Sequence, residues 1–519
     1  MGNHISTKGI GKVIFSSSLG TLIEWYDFYI FGMLAKTISV QFFPAGNDTT
    51  ALLSTLAIFA AGFLVRPFGA LVFGRLGDLI GRKYTFLLTL VLMGGSTFLI
   101  GLVPGYNAIG IAAPILILLL RLIQGLALGG EYGGAATYVA EHAPINKRGY
   151  YTSWIQITAT LGLFVALAVI MLVKTNMSEQ AFNANWGGWR YPFWVSILLV
   201  GVSIYIRVKM KESPLYEQLK KEGKTSLNPL KESFGNKTNF KIVLLVLFGA
   251  VMGQGVVWYT GQFYAQSFLE NTVKIEFMQN REILLWAIGL ATPFFLLFGA
   301  LSDKIGRKWI MLTGMLLGVV FYRPIFNIFI KDTNVNVWLK KNKEAEKLIN
   351  FTSTTKIDTI INLNYHFIIS HKKIGCELPN AAKFTEYRAD TMVQLNNRDI
   401  AYRPDIKPTY SDKTLSVKLK WKFIFLVFVM ILLVTMVYGP IAAFLVEMFP
   451  TKIRYTSMSL PYHIGNGVFG GLVPFIATLL STSFIGDPLV GLWYPIGVAA
   501  LCFVIGALYL NNKIAKNIV

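Results

Sequence analysis

The chain has 519 residues, of which 54% are hydrophobic and only 14% charged, and its mean hydropathy is +0.53. That apolar excess excludes an ordinary soluble domain, and two distant cysteines, Cys376 and Cys502, support neither a disulfide framework nor a thiolate metal site. The formal charge of +21 is gathered between apolar stretches, so it reads as orientation-setting loops and not as a nucleic-acid surface.

Segments of about 18 to 25 mostly apolar residues can cross a hydrocarbon layer of roughly 30 Å as helices. They centre near residues 28, 63, 94, 120, 163, 199, 252, 292, 319, 433, 468 and 500. An all-α membrane protein with twelve transmembrane helices is expected. The first segment carries Glu24 and Asp27 and no small-residue cleavage site, so it is expected to stay in the membrane. Lys and Arg follow helices two, four, six, eight and ten, as in Arg75, Arg82, Lys83, Lys147, Arg148, Lys304, Arg307, Lys452 and Arg454. Short cytoplasmic loops are enriched in these residues, so both termini are expected in the cytoplasm. The polar stretch 331–421 falls on the outer side by parity; long loops are exempt from the charge rule.

The string GRLGDLIGRK at 74–83 recurs as GALSDKIGRK at 299–308, an offset of 225. A second set, Glu141, Pro144, Arg148 and Ser153, matches Glu447, Pro450, Arg454 and Ser459 at an offset of 306. The chain therefore reads as two pseudo-symmetric six-helix halves with 81 residues inserted between Lys308 and Glu447. Residues 1–210 form the first half, 211–240 a central cytoplasmic loop, 241–330 helices seven to nine, 331–421 the extracytoplasmic insert between helices nine and ten, and 422–519 the remainder. The insert alternates near Asp358 to Ile369 and carries Pro404 and Pro408, which fits either a small module with a short strand or two or a loose tether.

Glu24 and Asp27 share one helix face, and charges at membrane depth are costly enough that they normally point inward and work. A carboxyl in a low-dielectric site suits a proton binder, so Asp27 leads the proton-coupling set, with Glu24 and Glu131 beside it. Arg121 and Glu131 are ten residues apart, a rotation of about 1000° and a rise of about 15 Å, so they cannot pair directly. Arg121 is placed to meet Asp27 or Glu24, or to bind a substrate carboxylate. Arg66, beside Pro67, is the other inward cation. Transport roles and structural interhelical ion pairs both fit these charges. Gln124, Tyr29, Gln254, Tyr259 and Gln262 complete the candidate substrate contacts, and His463 is either a second titratable site or a satisfied core histidine. Gly125, Gly129 and Gly133, like Gly467 and Gly471, recur every fourth residue and read as close helix packing.

These features together resemble the major facilitator superfamily. The repeated loop is joined by Glu24-Trp25-Tyr26-Asp27-Phe28-Tyr29, Arg66-Pro67-Phe68-Gly69, Arg121 to Gly134, Trp189 to Phe193, Glu212-Ser213-Pro214 and Glu447 to Tyr455. This narrower set resembles the metabolite:proton symporter family, whose members carry proline and betaine, 2-oxoglutarate, citrate and shikimate. The resemblance implies uptake driven by a proton gradient across a bacterial plasma membrane, and does not name the substrate. A small organic metabolite is the expected cargo, a monomer the expected unit, and no cofactor or metal is expected. It also implies that Gly74, Asp78, Gly81 and Arg82 in one half, and Asp303, Gly306 and Arg307 in the other, form gating loops; turn and topology charges are the plainer account. An exporter or uniporter on the same fold is the rival reading. Ile155 to Leu172 holds one glycine, Gly162, and no proline, unlike the helix five usual in exporters. Neither a phosphate-binding loop nor a nucleophile motif points to an enzyme.

Overall fold

A computed structural model describes residues 7–80, 82–130, 132–208, 229–344, 350–361, 366–395, 398–404, 408–450, 453–484 and 486–511. Its long helices are α1 (Thr7–Met33), α2 (Asp48–Leu64, continued by Arg66–Ile80), α3 (Arg82–Ile100), α4 (Ala112–Gly129), α5 (Arg148–Thr175) and α6 (Tyr191–Val208). They continue with α7 (Lys237–Asn271), α8 (Phe277–Ile305), α9 (Arg307–Asp332), α10 (Val417–Met448), α11 (Arg454–Ser483) and α12 (Val490–Tyr509). Among the described residues, nine helices are long and apolar enough to span a membrane. α1, α3 and α6 are the further long helices.

The chain forms two compact units, one of Met1–Tyr264, Ala287–Arg323 and Phe428–Val519, the other of Ala265–Trp286 and Pro324–Val427. In the first, glycines set how closely the helices approach. A methyl group on Gly125 of α4 would stand 1.8 Å from the Gly62 carbonyl oxygen of α2, and one on Gly129 would stand 2.2 Å from that of Arg66. The four-residue glycine spacing is thus a seam against α2. α1 lies along α5, where Gly162 leaves room for the Leu22 carbonyl and Trp25.

Three helical stretches widen into π turns, Leu247–Val251 and Thr260–Tyr264 in α7 and His463–Gly470 in α11. Each such turn displaces the side-chain stripe by one residue, and such turns are frequent at functional sites.

The second unit holds a five-stranded antiparallel sheet: β1 (Asn350–Ile361), β2 (His366–Glu377), β3 (Lys383–Leu395), β4 (Arg398–Pro404) and β5 (Thr409–Thr414). The order is β1-β2-β3-β4, with β5 also on β3. β4 pairs with Asp390–Leu395 and β5 with Lys383–Tyr387, so two short strands share one edge of a 13-residue strand. Val335, Cys376, Leu378, Ala382 and Phe384 form its core. The stretch after Asp332 is therefore a folded β module larger than the strand or two read from alternation, and the tether alternative fails. Alternation was legible only around Asp358 to Ile369, which spans the end of β1 and the start of β2. The same unit pairs Glu270 with Arg281 at 2.5 Å, both buried.

Candidate functional site

The site lies in the first unit and starts on α1. Residues 25, 28 and 29 fall on one broad face of a 3.6-residue helix, and that face meets α2 and α7. Trp25 stacks on Tyr29 with centroids 4.9 Å apart, and Tyr29 lies 5.4 Å from Trp258 and 4.9 Å from Phe263 of α7. Phe28 reaches Phe63 of α2 at 4.5 Å, and Phe63 reaches Tyr259 at 5.0 Å.

Two arginines stand on this aromatic floor. The Arg66 guanidinium is 4.1 Å from the Phe63 centroid, 4.3 Å from Phe28 and 5.3 Å from Trp25. Arg121 is 4.0 Å from Phe28 and 4.7 Å from Phe31. Ring faces attract cations, so Phe28 serves both. Arg121 Nη1 also donates to Gln124 Oε1 at 2.7 Å and to the Phe28 carbonyl at 3.3 Å, and Gln124 donates to Thr97 at 2.7 Å. Arg66 Nε and Nη2 and Arg121 Nε and Nη2 are buried without a hydrogen-bond partner among the described residues.

Asp27 is elsewhere. Two residues from Trp25 and from Tyr29, its carboxylate turns toward α3 and α6, where Ser196 is its polar neighbour and a methyl on Gly94 would stand 3.3 Å from its Oδ2. Tyr26 donates to the Pro192 carbonyl at 2.9 Å and holds α1 against α6. Glu24 is also buried, at 1% exposure. The pairing of Arg121 with Asp27 that the sequence allowed is not formed, because the two lie on different sides of α1.

α7 and α11 supply the opposing wall. Gln254, Trp258 and Gln262 recur at four-residue intervals, and Trp258 faces Trp25 at 6.2 Å. Both side-chain amides, both ring nitrogens of His463 and Asn466 Oδ1 are buried without a hydrogen-bond partner among the described residues. Asn466 Nδ2 donates to Tyr462 at 2.9 Å, and the Tyr462 and Tyr438 hydroxyls are 2.9 Å apart. Tyr264 is fully buried, and its hydroxyl lies 3.3 Å from that of Ser481.

Contacts between residues far apart in sequence flank the site. Tyr132, held by Gln156 at 2.6 Å, stacks on Tyr462 with centroids 3.5 Å apart, and Tyr455 donates to the Gly130 carbonyl. Further along, Asp303 accepts from the backbone N–H groups of Gly149 and Tyr150 at 2.8 and 2.9 Å. Arg307 bridges Asp303 at 2.7 Å and Glu447 at 3.0 Å. Gly306 makes this turn with φ +93°, a value that favours glycine. At the other end a methyl on Gly471 of α11 would stand 2.3 Å from Phe63, and one on Gly32 would stand 3.1 Å from Phe263.

Gly81 and Glu131 lie outside the described residues, as do the side-chain positions of Asp78 and Arg82; Gly74 falls within α2. The structure brings Tyr29, Arg66, Arg121, Gln124 and Tyr259 together and adds Trp258, Tyr132, Tyr438, Tyr462 and Asn466, which sequence reasoning missed. The four-residue spacing of Gln254, Trp258 and Gln262, and of Tyr462 and Asn466, was the available signal.

Residues 13–241 match the family described as Sugar (and other) transporter. The inner membrane metabolite transport protein YhjE of Escherichia coli K12 is 30% identical over 488 residues, 93% of this chain and 90% of its own length. The proline/betaine transporter of the same strain is 34% identical over 325 residues, 61% of this chain; the match spans 64% of its length, less than two thirds. In fold, the xylose transporter XylE from E. coli, in a partially occluded inward-open conformation, superposes with a TM-score of 0.62 at 15% identity, covering 98% of this chain and 99% of that one. The chain belongs to the major facilitator superfamily of membrane transporters.

Proposed function

We propose that the protein carries a small organic carboxylate into a bacterial cell together with protons, by alternating access of two six-helix halves. The observation that carries this reading is Arg66. A buried guanidinium with two nitrogens lacking hydrogen-bond partners is costly unless an anion arrives to share them. Arg121, already anchored to Gln124, positions the floor beneath it. Asp27 loads and releases the proton, and Glu24 and Glu131 belong to the same charge set. Asp27 and Arg66 lie on different sides of α1, so coupling runs through movement of that helix and not through contact.

In this reading the chain crosses the membrane twelve times with both ends in the cytoplasm, residues 331–421 are an insert on the outer side, and the working unit is a monomer. The Asp303, Gly306 and Arg307 loop, and by symmetry the Gly74, Asp78, Gly81 and Arg82 loop, latch the cytoplasmic side. A betaine-type cargo is the second reading, favoured by the Trp25, Tyr29 and Trp258 rings, which suit a quaternary ammonium.

Purified protein in liposomes with an internal pH dye tests the proposal. Adding a carboxylate outside should acidify the lumen, and Asp27→Asn should abolish that signal while the protein stays folded. Labelled uptake without acidification would remove proton coupling and leave a uniporter or an exchanger with another ion.

A further inference from the structure

We infer that β1 is a self-recognition edge: a second copy of this chain adds its own β1 antiparallel, joining two five-stranded sheets into one. The observation is a difference between the two sides of the sheet. On the β4 and β5 side the edge is broken up. These strands are seven and six residues long, the register slips between Val393 and Gln394 and again between Lys383 and Thr385, and β4 ends on Pro404. Short strands, bulges and proline are the means by which sheets keep other strands away. β1 has none of them. It runs for twelve residues, pairs with β2 throughout without a slip, and contains neither Pro nor Gly.

Seven of those twelve residues are Thr or Ile, β-branched types that favour extended backbone. Every second residue of an edge strand turns its N–H and C=O away from its one neighbour. Among the described residues no strand lies on that side of β1, so the row is a template for another strand.

Charge identifies that strand. β1 has two charged residues, Lys356 and Asp358, on either side of Ile357 and therefore at positions on one face of the sheet. A lone lysine would guard an edge; here a carboxylate follows two residues later. Of the antiparallel registers β1 can take with a copy of itself, only one sets Lys356 opposite the partner's Asp358 and Asp358 opposite the partner's Lys356. That register has Ile357 on the two-fold axis. Neighbouring registers of the same facing set Lys356 against the partner's Lys356, or Asp358 against the partner's Asp358, and like charges directly opposite are destabilising. The favoured register also sets Thr355 opposite the partner's Thr359 and Ser353 opposite the partner's Ile361. Such a contact is isologous and closes at two copies. Both copies share one membrane, which raises their effective concentration. Each remains a complete carrier, so transport stays with the single chain.

Oxidative crosslinking in native membranes tests the pairing. Cys376 and Cys502 are both buried, so the parent chain serves as the blank. Ile357→Cys should give a disulfide-linked dimer, since its two copies face each other on the axis. Ser353→Cys should not, because its two copies stand roughly 27 Å apart along the strand. Adding Ile361→Cys to Ser353→Cys should restore the crosslink. Lys356→Glu replaces two attractive pairs by two repulsive ones and should weaken the dimer about tenfold. Combining it with Asp358→Lys should restore the dimer, with uptake unchanged throughout, because only a strand that pairs with itself recovers when its two charges are exchanged. Equal crosslinking of Ser353→Cys and Ile357→Cys, or a dimer indifferent to Lys356→Glu, overturns the inference. Two differently tagged wild-type copies that fail to co-purify from the same membranes overturn it as well, and that reading requires no variant to fold.

Discussion

Asp303 and Tyr150 belong to opposite halves of the chain, yet the Asp303 carboxylate accepts the Tyr150 N–H at 2.9 Å, with that of Gly149 at 2.8 Å. The first turn of a helix has N–H groups without intrahelical partners. The residue before α5, Lys147, makes no side-chain cap. The cap therefore comes from the other half, and separating the halves uncovers the start of α5.

Asp303→Ala should accordingly loosen this end. Hydrogen bonds to a charged group contribute about 1.5–3 kcal/mol each, so a shift of roughly 100-fold in the open population is expected. A cysteine at Ser153, fully buried beside Gly299, should then react with a membrane-impermeant maleimide in inside-out vesicles much faster than in the parent. Unchanged labelling would show that the contact bears no part of the closure.

Arg66→Lys keeps the charge but loses the planar fork that lies over Phe28 and Phe63. KM for the carboxylate should rise tenfold or more, with little change in melting temperature. An unaltered KM would remove Arg66 from the binding site.

The helix seam makes a stability prediction with its own control. Gly125→Ala places a methyl 1.8 Å from the Gly62 carbonyl, whereas a methyl on Gly95 meets nothing within 4 Å. Overpacking of this kind costs about 1–3 kcal/mol or more. The first variant should melt well below wild type in detergent, the second within error of it. Equal melting would mean that α2 and α4 can slide apart freely.

Much of the buried architecture was readable because its causes are local. Asp303 and Arg307 sit in a repeated string, the glycine seam has a four-residue period, and Arg66 and Arg121 are charges within apolar segments. The side of α1 on which Asp27 lies was not readable, since Glu24 and Asp27 share a face whatever that face meets. The stack of Tyr132 on Tyr462 joins residues 330 positions apart, and no local pattern encodes such a pairing. The sheet was half-hidden because strand alternation surfaced over only part of β1 and β2.

The β module offers a titration to follow. Lys413 is mostly buried and close to Lys274, and both effects, burial first, bring its pKa down to about 8. The folded form thus favours the neutral amine more than the unfolded chain does. Stability from this group is fully present above the unfolded value near 10.5 and is lost as pH falls through about 8. Amide exchange of β5 and of the Lys274 to Glu276 turn should therefore slow as pH is raised across that window, after correction for intrinsic rates. Lys413→Met should remove the dependence and protect the turn at neutral pH. A pH-independent wild type would place the ammonium in water.

The division of polar groups between the walls has a consequence for how such a carrier diversifies. Among the described residues, the buried charges at the site and beside it, Glu24, Asp27, Arg66 and Arg121, stand on α1, α2 or α4, while Gln254, Gln262, His463 and Asn466 on α7 and α11 carry amides and an imidazole. Exchanging an amide for another uncharged side chain leaves the charge balance of the membrane interior untouched. Uncharged side chains on α7 and α11 can thus be exchanged while the buried charges on α1, α2 and α4 stay as they are.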